Sequence, residues 1–88
     1  MKEIKVSFEE LNTKDKIHDF FSEVLETSSW YGRNLDALYD ELTSICEPTH
    51  IKCYGKKELF PVEVLGVWDV LNDASEENAC LNVELIES

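Results

Sequence analysis

The main shortage in this 88-residue sequence is positive charge. It contains 8 lysine and arginine residues against 19 aspartate and glutamate residues, which gives a formal net charge of −11. Residues 58–88 contain no lysine or arginine, although they include eight acidic residues. Such a chain would repel the phosphates of nucleic acids and the surface of an anionic membrane. The composition therefore disfavours a nucleic-acid or membrane partner and favours a basic one.

Long apolar runs are missing as well. No stretch approaches the roughly 18 consecutive apolar residues that a membrane-spanning helix needs. The first five residues, Met1 to Lys5, carry charges where a secretory signal peptide would have an apolar segment. We therefore expect the protein to be cytoplasmic.

Cysteine, histidine and glycine are also scarce. Cys46, Cys53 and Cys80 are odd in number and lack the C-x-x-C spacing of metal and redox motifs, which favours reduced thiols packed within the fold. His18 and His50 are isolated and lie beside apolar positions, so we expect both to be structural. The chain has no glycine-rich phosphate-binding loop. The sequence therefore predicts no metal site and no cofactor.

The apolar content of the chain is sufficient for one small domain over residues 1–88. The chain is 43% hydrophobic and has nine aromatic residues, which can form a real core. Apolar residues alternate near residues 4–8, 49–54 and 81–85, as in strands with one buried face. Three other segments have the apolar spacing of amphipathic helices. Their apolar residues are Ile17, Phe20, Phe21, Val24 and Leu25; Leu35, Leu38, Leu42 and Ile45; and Val64, Val67, Trp68, Leu71 and Ala74.

The order β-α-α-β-α-β indicates an α/β fold. Helical connections between strands imply parallel pairing, and the alternation within the strands implies that one sheet face stays partly solvated. We predict a small three-stranded parallel sheet with helices packed mainly on one face. Further expectations concern the helix ends. They are a cap at Thr13 or Asn12, a second helix ending near Cys46, Pro61 as the first residue of the third helix, and a polar turn over residues 75–78. Gly66 inside the third helix indicates either close helix packing or a bend.

The most informative stretch is residues 30–43, where two aromatic residues lead into a glycine turn and the second helix. Asn34 is placed to cap that helix. Asp36, Tyr39 and Asp40 follow at i, i+3 and i+4, so they are neighbours on its exposed surface. No lysine or arginine occurs between residues 33 and 52 to neutralise them. The pattern favours binding to a positively charged partner, and the simpler alternative is a solvated amphipathic helix.

The run from Tyr31 to Asp40 resembles the signature of the barstar family, the intracellular inhibitors of the ribonuclease barnase. In that family the second helix and the preceding loop plug the ribonuclease active site, with carboxylates in the place of RNA phosphates. The resemblance implies that Trp30 is the loop aromatic, that Asp36 and Asp40 are the helix carboxylates, and that Asp73 is a further acid on the last helix. It implies partner-binding roles for the other residues of the stretch as well, namely Tyr31, Asn34, Tyr39 and Thr43.

The function implied by the resemblance is inhibition of a basic, secreted, barnase-like ribonuclease in a one-to-one complex, without a cofactor, by a protein that is monomeric when free. Three residues depart from the family pattern. Trp30 replaces a tyrosine, Tyr39 replaces a common tryptophan, and Arg33 adds a positive charge beside the acidic surface. An immunity protein against a different nuclease toxin is therefore an alternative.

Two other classes of function are compatible with the sequence. One is an acidic protein-interaction module with an unrelated partner, since a fold does not fix a function. The other is an enzyme that uses Asp36 and Asp40 as acid–base groups or metal ligands. The chain disfavours an enzyme, because it shows no nucleophile–base pair and leaves little room for a pocket.

Overall fold

Strands and helices follow the predicted order in the computed structural model, which describes residues 2–26 and 31–87. The predicted α/β class is therefore confirmed. The elements are β1 (Lys2–Ser7), α1 (Lys14–Val24), α2 (Leu35–Thr43), β2 (Thr49–Tyr54), a short 3-10 helix (Lys57–Leu59), α3 (Val62–Glu77) and β3 (Leu81–Ile86).

The three strands form one parallel sheet in the order β1-β2-β3, so that β2 lies in the centre. Ile4 of β1 is the register partner of Ile51, and Ile51 is in turn the partner of Val83 in β3. Each pair is joined through helices, as parallel pairing requires. The prediction of a small three-stranded parallel sheet is confirmed.

The two faces of the sheet differ as the alternating pattern predicts. Inward residues such as Ile51 are fully buried against the helices. The outward face carries charges that pair across strands. Lys52 Nζ lies 3.5 Å from Glu3 Oε2, and His50 Nε2 lies 3.1 Å from Glu84 Oε1. The helices therefore cover one face and leave the other in contact with solvent, as expected.

The core lies between the inner sheet face and the three helices. Its largest fully buried side chains include Phe21, Ile17, Leu38, Leu42, Ile51 and Leu71. Cys53 is also fully buried there, and burial raises the pKa of its thiol to about 12, which makes it unreactive. All three cysteines are free thiols. The expectation of packed thiols is wrong for Cys46, which is exposed in the loop after α2.

The helices begin at or within one residue of their predicted first residues. Thr13 caps α1, because its Oγ1 accepts from the backbone N–H of Lys16 at 3.3 Å. Pro61 precedes α3 as its N-cap, with an extended ψ of 166°, so placing it at the first helical position was wrong by one residue. Leu35 was expected in the buried stripe of α2, but it is 38% exposed because it is the first residue of the helix, at the protein surface.

Helix ends depart further from prediction. The second helix ends at Thr43 rather than near Cys46. Ser44 is its C-cap, and the N–H of Ile45 bonds to the Leu42 carbonyl three residues back, in a tighter turn than that of an α-helix. The third helix continues through the segment predicted as a polar turn and ends at Glu77. Asn78 is the C-cap of this helix. Its N–H bonds to a carbonyl in the last turn of α3, and its side chain is held by another helix.

Helices α2 and α3 pack side by side along their length. Near their N-terminal ends, a β-carbon placed on Gly66 would lie only 3.0 Å from Leu35 Cδ1. Near their C-terminal ends, Asn78 Nδ2 donates to the carbonyls of Leu42 at 3.1 Å and Ile45 at 2.9 Å. Of the two interpretations of Gly66, close packing is therefore the one the contacts bear out.

Candidate functional site

Asn34 sets the start of α2 and so the positions of the acidic side chains. Its Oδ1 accepts from the backbone N–H of Ala37 at 2.8 Å, which confirms the predicted cap. Its Nδ2 donates to the Gly32 carbonyl at 3.3 Å, so the preceding turn is tied to the same side chain. Asp36 then lies in the first helical turn, where the helix dipole stabilises a negative charge.

The predicted acidic residues form one surface across two helices, together with Glu77, which was not predicted. Asp36 and Asp40 are exposed on α2, and Asp73 and Glu77 are exposed on α3. Tyr39 is half-buried between the helices. Its own partial burial raises the pKa of Tyr39, and the negative charges of Glu77, Asp73 and Asp40 raise it further. We call these four carboxylates, together with Tyr39, the acidic face.

The acidic face is not neutralised from within. Across residues 2–26 and 31–87, none of its four carboxylates forms an ion pair. Arg33 was expected to place a positive charge beside this surface. It is instead directed towards α1, where Nη2 lies 2.8 Å from Asp19 Oδ1 and 3.4 Å from the Asp15 carbonyl oxygen. Within the described residues, the negative charge of the face is therefore not compensated by an ion pair.

Thr43 lies at the end of the acidic face and is half-buried. Its Oγ1 donates to a carbonyl of its own helix, that of Tyr39 at 3.0 Å or that of Asp40 at 3.2 Å. The Asp40 carbonyl also accepts from the Ser44 N–H, so the Thr43 hydroxyl is an additional donor to the last turns of α2. Thr43 shapes the edge of the face more than it adds a free donor.

A hydrogen bond to a buried histidine holds the side chain of Tyr31 in place. Its hydroxyl lies 2.6 Å from Nδ1 of His18, a residue that is only 2% exposed on α1. Burial lowers the pKa of His18, as do the nearby charges of Arg33 and Lys14, and burial raises the pKa of Tyr31 to about 12. Both groups are therefore neutral near pH 7, and a hydrogen bond joins the Tyr31 hydroxyl to the imidazole. The structural role predicted for His18 is confirmed.

The structure brings together four of the predicted residues, Asp36, Tyr39, Asp40 and Asp73. Trp30 lies outside the described residues, and its predicted contact with a partner stays a prediction. Sequence reasoning missed Glu77, which was assigned to a solvated turn. Its position four residues after Asp73 would have placed both carboxylates on one side of a helix, had the helix been extended that far.

The exposed groups of this site can act chemically as hydrogen-bond acceptors for cations. Each exposed carboxylate can accept two parallel hydrogen bonds from a guanidinium group, as a phosphate does. No cluster of three or more histidine, cysteine or acidic side chains within the described residues is arranged to hold a metal ion. Among the same residues, no helix has both the length and the apolar character needed to cross a membrane.

One comparison with known proteins identifies a family for this chain. A search of curated proteins gave no match. A family model described as "Barstar (barnase inhibitor)" matches residues 1–79, a range that contains α2, the loop before it and all of α3. Members of that family are inhibitors rather than enzymes, and their partners are barnase-like ribonucleases. Since the match spans most of the chain and the parallel sheet has the expected order, the chain belongs to the barstar family.

Proposed function

We propose that this protein is a cytoplasmic inhibitor of a basic, secreted, barnase-like ribonuclease, and that it protects the cell that produces the enzyme. It is a monomer when free and blocks the ribonuclease one-to-one, without covalent chemistry or a cofactor. The observation that carries the proposal is the acidic face. Asp40, Asp73 and Glu77 place negative charge beside Tyr39, Asp36 lies one turn earlier on α2, and none of the four forms an ion pair within the described residues.

A ribonuclease active site must attract a polyanion, so it is rich in arginine, lysine and histidine. The acidic face presents carboxylates to such a site in place of phosphates. The net charge of the whole protein, −11, also attracts a basic protein over a distance at low salt. Because the Asn34 cap and the Asn78 side chain hold the two helices in place, little conformational freedom is lost on binding.

The residues divide into charged and aromatic contacts. Asp40 is central on α2 and is the proposed main acceptor for a guanidinium group, with Asp36 and Asp73 on either side. Tyr39 provides aromatic area within the acidic face, and Trp30 and Tyr31 provide it from the preceding loop. Asn34 and Thr43 lie at the two ends of α2, where they complete the edge of the interface.

The test is a titration of this protein into an active barnase-type ribonuclease, with RNA cleavage and binding heat followed together. We expect complete inhibition at one-to-one stoichiometry. Asp40→Asn should weaken binding by about 10- to 150-fold, since a hydrogen bond to a charged group contributes about 1.5–3 kcal/mol. Raised salt should slow association of the parent protein.

Glu84→Gln is a matched control, because it also removes one exposed negative charge. Glu84 lies on the outward face of β3, where it pairs with His50, and the helices cover the opposite face of the sheet. Its affinity should stay within about twofold of the parent, as expected for a charge outside the interface. Absence of inhibition and heat with the parent protein would reject the ribonuclease and favour another basic nuclease toxin as the partner.

A further inference from the structure

A groove lies next to the acidic face, between α1, α2 and the first turns of α3. Its volume is about 480 Å³. The apolar residues that line it are Ile17, Leu35, Val62 and Val67, and Gly66 lines it as well. Because Gly66 has no side chain, Leu35 can pack within van der Waals distance of the α3 backbone and leave the space above it open.

Two of the groove's apolar side chains are exposed to an unusual degree. Val62 is 82% exposed and Leu35 is 38% exposed, although both are large and apolar. A single exposed apolar residue needs no explanation, but two that line the same concave surface indicate a place where another apolar group is received.

The groove is continuous with the acidic face. Asn34 and Asp36, both predicted partner-binding residues, line it. Leu35 is one helical turn before Tyr39, and both side chains point towards α3. A partner that covers Asp36 and Asp40 would therefore also extend over the opening of the groove.

The charges around the groove select its occupant. Two carboxylates, Asp36 and Glu63, and one ammonium group, Lys14, lie among the lining residues, so the rim is negative overall. A second copy of this chain would bring its own acidic face towards the same carboxylates, and an anionic lipid would be repelled. An aliphatic side chain with an arginine or lysine beside it matches both the apolar interior and the negative rim.

We propose that this groove is a second contact for the ribonuclease, and that it receives an aliphatic side chain adjacent to a basic residue on the enzyme surface. The inference rests on the proposed function, because it assigns the groove to the same partner. It adds an apolar contact to an interface whose other contacts are mainly charged and aromatic, and it makes the enzyme residue beside Asp36 a determinant of specificity.

Val62→Ser tests the proposal, since Val62 is exposed at the first residue of α3 and a serine there should leave the fold intact. We expect affinity for a barnase-type ribonuclease to fall roughly tenfold, because burying a valine side chain is favourable by about that factor or more. The loss should appear in the dissociation rate. Leu59→Ser is the matched control, because Leu59 is 73% exposed and lies outside the groove. Its affinity should stay within about twofold of the parent, since its exposed side chain should gain no contact in the complex.

The outcomes separate this proposal from the broader one. If Val62→Ser binds as tightly as the parent while the parent inhibits, the groove contact is wrong and the inhibitor function stands. If Val62→Ser loses affinity and Asp40→Asn does not, the groove is supported and the assignment of the acidic face fails. If the parent does not bind a ribonuclease at all, both proposals are overturned.

Discussion

The hydrogen bond between Tyr31 and His18 gives a quantitative test of how the start of the site is held. Tyr31→Phe removes the hydroxyl and keeps the ring. Nδ1 of His18, which lies 2.6 Å away in a residue only 2% exposed, would then be buried without a partner. A buried polar group left unsatisfied costs about 1–3 kcal/mol. A chain of this size is stable by about 4–13 kcal/mol in total, so the loss would be a substantial fraction.

The measurement is urea unfolding, followed by circular dichroism, for the parent and the variant. We expect a lower midpoint with an unchanged m-value, and a melting temperature lower by about 4–8 °C for each kcal/mol lost. Tyr54→Phe is the control, because the Tyr54 hydroxyl has no hydrogen-bond partner in the described part of the chain. That substitution should change stability by less than about 0.5 kcal/mol.

The same substitution in a protein that lacks His18 gives a second test. In a His18→Leu protein the Tyr31 hydroxyl is itself the group without a partner, so Tyr31→Phe should there be neutral or stabilising. The reasoning is refuted if Tyr31→Phe costs the same free energy in both backgrounds. It is also refuted if Tyr31→Phe behaves like Tyr54→Phe in the parent.

Three further predictions concern stability. The pKa of His18 is lowered in the folded protein, so the unfolded chain takes up a proton at this residue first as the pH falls. Stability should therefore fall as the pH drops below about 6.5. His18→Leu should remove this part of the pH dependence, which urea unfolding at several pH values would measure. Asn78→Ala removes the bonds to two carbonyls at the end of α2 and should cost about 1–3 kcal/mol, whereas exposed Asn82→Ala should cost little in the same thermal melts. Gly66→Ala should raise the free energy of unfolding by up to about 1 kcal/mol, since alanine favours the helix and the half-exposed Leu35 can move aside. A lower free energy of unfolding would mean that Leu35 cannot move.

Much of the fold and part of the candidate site follow from local patterns. Alternation predicts β2 because one side of each strand is buried, and the apolar spacing of α2 predicts Leu38 and Leu42 in the core. Asn34 is predicted as a cap because its side chain bonds within its own turn. In each case the residues that decide the structure are close together in the sequence.

The features that were missed depend on contacts between distant segments. Residues 75–77 are polar and contain neither glycine nor proline, so their sequence is compatible with a turn or a helix. The bonds of Asn78 to the end of α2 are compatible with the helix, and they bring Glu77 into the acidic face. The direction of Arg33 is decided in the same way, by Asp19 on α1, and no local pattern encodes it.

The central position of β2 has a consequence for the order in which the chain folds. Both neighbours of β2 are parallel to it, so neither pairing can begin as a local hairpin, and each must wait for a helical connection to fold back. On the ribosome, β1 and β2 can pair before β3 has been synthesised. The other edge of β2 then stays open until the C-terminal strand arrives. Conditions that slow synthesis of the final segment should therefore favour association between nascent chains through this edge.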